Sequence, residues 1–100
     1  MYPRGDGLIQ DQKAAAKWYL LAAEQGLAAA QTNLGMIYKN GTGVRQDNVY
    51  AHMWWNIAVS RGYDTATELR DSVAKRMTPS QIEQAQDLAR ECALKNYKEC

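Results

Sequence analysis

Phenylalanine is absent from the 100 residues, proline and cysteine occur twice each, and histidine once. Two cysteines, Cys92 and Cys100, are too few for a disulfide framework, and with a single histidine they cannot make a zinc site, so no metal or other cofactor is expected. Nucleophilic catalysis needs a nucleophile, a base and an oxyanion donor that converge, and one histidine with no such set points away from an enzyme. No stretch approaches the roughly 20 apolar residues that span a bilayer, which excludes membrane insertion by a helix. The opening segment Met1-Tyr2-Pro3-Arg4-Gly5-Asp6-Gly7 lacks the apolar core of a signal peptide. Charge of one sign is also lacking: the net value is +1 with both signs interspersed, so nothing draws the chain to nucleic acid or to an anionic surface.

What is present is alanine, which supplies much of the 46% hydrophobic content, together with three Trp and six Tyr. Small residues mixed with a few large aromatics suit closely packed helices rather than a β-sandwich. One domain is the most that this length allows, and its small core needs repetition or a partner to help it.

The repetition is there. Residues 1–30 lie over residues 37–66 at an offset of 36 without a gap, and ten of the thirty positions are identical: Tyr2/Tyr38, Gly5/Gly41, Gly7/Gly43, Gln10/Gln46, Asp11/Asp47, Ala15/Ala51, Trp18/Trp54, Ala22/Ala58, Gly26/Gly62 and Ala30/Ala66. Ala15, Trp18 and Ala22 fall at spacings of three and four, one face of a helix, and Ala51, Trp54 and Ala58 repeat that face. Asp11 and Asp47 stand where an N-cap acceptor is wanted, and Gly26 and Gly62 where a helix ends in the left-handed region. A second helix follows in each unit, at about 28–39 with the stripe Ala30, Leu34, Ile37 and Tyr38, and at about 65–76 with Ala66, Leu69, Val73 and Met77. Gly5-Asp6-Gly7 and Gly41-Thr42-Gly43 share one phase of the repeat between helices, which makes them turns and not phosphate loops. Asn40-Gly41-Thr42 is part of that turn, although it also fits a glycosylation acceptor.

Thr78-Pro79-Ser80-Gln81 opens a last helix with an N-cap, a proline at the first position and a capping box, and Met77 can staple onto Ile82. Ile82, Ala85, Ala89 and Cys92 form its apolar face, while Glu83, Asp87 and Glu91 form a solvated one. This pattern suits a helix that covers the open end of a stack. The expected organisation is an inter-repeat loop at 1–10, unit 1 at 11–46, unit 2 at 47–77 with a divergent second helix, and a capping helix with its tail at 78–100. The fold class is all-α, about five helices in hairpin repeats.

Ala15-Ala16-Lys17-Trp18-Tyr19, Ala22-Ala23-Glu24-Gln25-Gly26, Ala30-Gln31, Leu34-Gly35, Tyr38, Gly41-Thr42-Gly43-Val44 and Asp47 resemble the motif of the Sel-one-like repeat (SLR) family within the tetratricopeptide-like superfamily. The resemblance covers residues 1–63; residues 64–77 lack the Ala-Gln and Leu-Gly pairs, and 78–100 resemble the C-terminal cap of bacterial members. It implies a short right-handed α-solenoid that holds a protein or peptide on its concave face. It also implies a unit before Tyr2. The chain is then a fragment, or one that covers its open N-terminal end by self-association. A purely structural segment of a longer solenoid is the alternative function.

Several side chains carry two readings. Tyr19 and Trp55 are turned about 100° from the Trp18/Trp54 stripe, so they either pack between units or line the groove; with Asn33 and Asn56 nearby they would supply aromatic anchors and adaptable amides for a peptide. His52, among Tyr50, Met53, Trp54 and Trp55, is expected to be core or groove lining. Ser72-Val73-Ala74-Lys75 matches the S-x-x-K pattern of penicillin-binding enzymes, and a cysteine-rich branch of the resembled family is linked to β-lactams, but no S-D-N or K-T-G accompanies it. In that branch cysteines eight apart are bridged. In a continuous helix Cys92 and Cys100 would stand roughly 12 Å apart, beyond the ~7 Å a disulfide tolerates. A bridge therefore requires the helix to stop near Asn96 with Tyr97-Lys98-Glu99 hooking back, and a bridge, or the chain's being a fragment, would favour a periplasmic or secreted protein. Without it, Cys92 is core, Cys100 is a frayed end, and a cytoplasmic setting is favoured.

Overall fold

The computed structural model describes the chain from Gly5 to Cys100, with side chains from Asp11 onward. Five helices follow in order: α1 Gly5–Glu24, α2 Ala28–Asn40, α3 Asn48–Ser60, α4 Thr65–Ala74 and α5 Pro79–Leu94. Among the described residues there is no strand. α1 packs on α2 and α2 on α3, while α3 also touches α4 and α5, so α3 is the centre of the stack.

That position explains its composition. Ala51, His52, Met53, Trp54, Trp55, Ile57 and Ala58 are all buried, more than one stripe can hold, because neighbours cover α3 on several sides. Trp54 joins Ala23, Leu34, Met53, Ile57, Ala89 and Cys92 in one cluster. Trp55 joins Ala51, Ala58, Ala66, Val73, Met77 and Ala85 in the other. Truncating either indole to alanine would cost roughly 3–5 kcal/mol.

The local signals explain where the helices stop. Asp47 Oδ1 accepts from the Tyr50 N–H at 3.0 Å, capping α3. Gly26 and Gly62 have φ of +84° and +89° just beyond α1 and α3. At α5, Thr78 Oγ1 accepts from the Gln81 N–H at 3.1 Å and Gln81 Oε1 accepts from the Thr78 N–H at 2.9 Å, a complete capping box. Met77 is buried with Ile82 packed beside it.

One stretch differs from expectation. Gly5 to Gln10 belong to α1, so Asp11 lies inside a helix, caps nothing, and Gly5-Asp6-Gly7 is not a turn. Residues 1–4 of the expected loop lie outside the described residues. The counterpart turn at 41–46 is held by α2: the Gly41 N–H donates to Ile37 O at 2.8 Å and the Asp47 N–H to Tyr38 O at 2.9 Å. The positions equivalent to Ile37 and Tyr38 are Met1 and Tyr2, outside the described helix.

Candidate functional site

α1 and α2 diverge to leave a groove of about 640 Å³ lined by Ala15, Trp18, Tyr19 and Ala22 from α1 and by Leu27, Ala28, Ala29, Ala30 and Asn33 from the start of α2. Five alanines, two aromatics and Leu27 make the lining mostly apolar. Trp18 is 70% exposed, Tyr19 and Leu27 are exposed as well, and Asn33 offers the only side-chain amide in the lining. A tryptophan this open has an apolar body and one N–H donor available to a visitor.

The four residues proposed from sequence as a binding set separate. Tyr19 and Asn33 meet in the groove. Trp55 does not: it is fully buried, its Nε1–H donates to the Thr32 carbonyl at 2.9 Å, and its indole lies against Gly35. Of the two readings for the second aromatic, Trp55 takes packing between units and Tyr19 takes the groove. Asn56 sits on another surface, where its Oδ1 accepts from Arg70 Nη1 at 3.0 Å beside a shallow hollow between α3 and α5. Trp18, which shares its helix face with Ala15 and Ala22, is the more open aromatic of the groove. The offset of 36 carried the signal: Trp55 is sealed under α2 and Trp54 packs among α1, α2 and α5, and no described element stands on α1 as α2 stands on α3.

The chain end is held by covalent and polar contacts. Cys92 and Cys100 are bridged, with Cα atoms 5.5 Å apart, inside the range a disulfide accepts. α5 stops at Leu94, and Asn96, Tyr97 and Glu99 take φ of +55°, +66° and +55°, turning the chain back. The hook also grips the hairpins. The Arg61 guanidinium lies over the Tyr97 ring, 5.2 Å from its centroid, and Nη1 donates to Tyr97 Oη at 3.0 Å. The Glu99 N–H donates to Glu24 Oε2 at 3.2 Å. The ends of α1, α3 and α5 are thereby tied together.

His52 is buried, and its Nδ1 has no hydrogen-bond partner among the described residues. Burial and then the Arg70 charge push its pKa below the usual imidazole value, with Asp71 opposing. Its burial and lowered pKa favour the neutral imidazole at neutral pH. Ser72 and Lys75 are both exposed. No cluster of three metal-ligating side chains occurs among the described residues, and none of the described helices is long and apolar enough to cross a membrane.

Paired antiparallel helices, one pair stacked on the next and closed by a capping helix, define an all-α helical-repeat solenoid. The family model for the Sel1 repeat matches residues 1–27 and 28–63, more than half of the chain, and the chain belongs to that family. The second match runs through α2, the glycine turn and α3, so the family repeat is counted in a different phase from the hairpins. The chain is similar to a protective antigen present in uropathogenic Escherichia coli strains, whose crystal structure displays an SLR fold. The identity is 36%, the TM-score 0.80, and the likeness covers 93% of this chain and 22% of that one. This chain thus spans about a fifth of the solved chain. No curated protein matches it. The SLR fold is commonly a protein-interaction scaffold.

Proposed function

We propose that the chain is a non-catalytic scaffold that binds a protein or peptide segment, and that Trp18, Tyr19 and Asn33 in the α1–α2 groove make the contact. The observation that carries this reading is the exposure of Trp18 in a groove lined mostly by apolar residues. Large aromatics are where binding energy concentrates in interfaces, and a groove lined by small residues lets a partner backbone approach closely. The membership of a family whose fold commonly serves protein interaction supports the same reading, as does a groove lining with no ionisable group other than the Tyr19 phenol.

The test is selection of binders from a displayed peptide library against the folded chain, followed by titration of Trp18→Ala and Tyr19→Ala. Each substitution is expected to weaken the selected peptides by about tenfold or more, the size of an aromatic hot spot. Because Trp18 is largely solvated, its removal should leave stability within about 0.5 kcal/mol. Peptides whose affinity is indifferent to both substitutions would place recognition elsewhere.

A further inference from the structure

The disulfide hook reaches the edge of the groove. Tyr97 and Cys100 pack on the cluster that holds Ala23 of α1, and the Glu99 N–H donates to Glu24 Oε2 at 3.2 Å. Through Arg61, which Tyr97 holds, the grip extends to the α1–α2 turn: a Cβ on Gly26 would stand 3.3 Å from the guanidinium Cζ and Nη2 and 3.6 Å from Tyr97 Cε2. Gly26 is buried there, and the residues on either side of it, Ala22 before and Leu27 and Ala28 after, line the groove. The backbone of the hook does not favour its own shape. Asn96 accepts a left-handed conformation, but Tyr97 and Glu99, at φ of +66° and +55°, carry side chains that this conformation penalises. Two such residues in one short return leave the covalent link between Cys92 and Cys100 to keep it closed.

We propose that the Cys92–Cys100 bond is a redox latch on the α1–α2 groove: oxidised, the hook braces the Gly26 turn and holds the groove in its binding shape; reduced by a dithiol, it opens and the groove loosens. The consequence for ligand binding rests on the groove reading above, whereas the coupling of hook to turn rests on the contacts just described. Access sets the direction of the exchange. Cys92 is 2% exposed and Cys100 is partly exposed, so a thiolate of the reductant attacks Cys100 Sγ, the S–S bond breaks, and Cys92 leaves with the electron pair and takes a proton. The second thiol of the reductant then displaces Cys100 from the mixed disulfide, which leaves both cysteines as thiols and the reductant as a disulfide. Freed of the link, Tyr97 and Glu99 relax from the left-handed region and their contacts with Arg61 and Glu24 are lost. The two states, hook closed and hook open, are what a ligand in the groove and a reductant at Cys100 both bias.

The test is amide hydrogen exchange well below the unfolding temperature, in the oxidised chain, in the chain reduced with dithiothreitol, and in Cys100→Ser. Exchange from Gly26 to Ala30 should rise by about tenfold or more on reduction, within what closing so short a loop can supply, while the α4 amides from Leu69 to Val73 stay unchanged. Cys100→Ser should exchange as the reduced chain does and not respond to the reductant. Arg61→Ala should release the turn even with the bridge intact. An unchanged turn, or a rise spread evenly over all helices, would make the bridge a general staple and overturn the proposal, as would an oxidised Arg61→Ala chain whose turn stays protected. In the binding arm, library peptides that depend on Trp18 should bind the reduced chain about fivefold or more weakly, the lower end of coupling between two sites. Equal affinity in the two redox states overturns the latch even if the turn loosens. A library that yields no Trp18-dependent peptide overturns the groove reading instead, and the exchange result then decides the latch by itself.

Discussion

Gly35 in the middle of α2 is a position where two physical effects oppose each other and the structure decides the sign. On an exposed helix surface, Gly→Ala stabilises by about 1 kcal/mol, because alanine loses less backbone entropy. At Gly35 the new methyl would meet the indole of Trp55 at 2.7 Å, closer than side-chain carbon atoms come. The indole has nowhere to retreat, since Trp55 is wholly buried and its N–H is committed to Thr32 O at 2.9 Å. Overpacking of this kind costs about 1–3 kcal/mol, and displacing the indole N–H from its buried carbonyl costs about 1–3 kcal/mol more. Against the propensity gain, Gly35→Ala should destabilise the chain by about 3 kcal/mol, within a span of about 1–5 kcal/mol. For a domain of this size that lowers Tm by roughly 10–25 °C. Thermal and urea unfolding, followed by far-UV circular dichroism and tryptophan emission, measure it directly. A second arm fixes the cause: in the Trp55→Leu background the same substitution should cost much less, because the clash partner is gone. A Gly35→Ala chain as stable as the parent, or more stable by the propensity increment, would refute the reasoning and with it the close α2–α3 packing.

Two further outcomes follow from the termini and the core. Opening the Cys92–Cys100 bridge by Cys100→Ser or by reductant should remove about 2.5 kcal/mol, the chain-entropy value for a loop of this length, and lower Tm by roughly 10–20 °C; an unchanged Tm in reductant would show that the hook contributes nothing. His52 has a folded pKa below the ordinary imidazole value of 6.5, so the unfolded chain takes up the proton first. Its stabilising effect is complete above pH 6.5 and is lost as pH falls from there toward the lowered folded value. His52→Gln should flatten that acid limb in Tm measured from pH 7.5 to 5, and a limb identical to the parent's would assign it to other groups.

Much of the fold was legible because it is local. The helix ends at Gly26, Gly62, Asp47 and Thr78 are set by backbone groups within a turn of the residue concerned, and the chain carries the residue types that satisfy them. Asp11 misled for the same reason in reverse. Its twin Asp47 is a cap because α2 supplies the carbonyls that hold the preceding turn, and that support is tertiary. The candidate site was half legible: Tyr19 and Asn33 line the groove, whereas Trp55 is sealed under α2 and Asn56 is held by Arg70. Helical phase tells which side chains share a face, but not which face a neighbouring helix covers.

The period of 36, the five helices, the caps at Asp47 and Thr78 and the stapled start of α5 were determined by the sequence alone, because each depends on contacts a few residues apart or on identity between two segments. Only the tertiary structure decided that Trp54 and Trp55 are core while their counterparts Trp18 and Tyr19 are surface, and that Gly35 is there to admit an indole. Equivalent residues in a repeat have the same neighbours along the chain, but their burial depends on what packs over them, and for α1 that partner is not among the described helices.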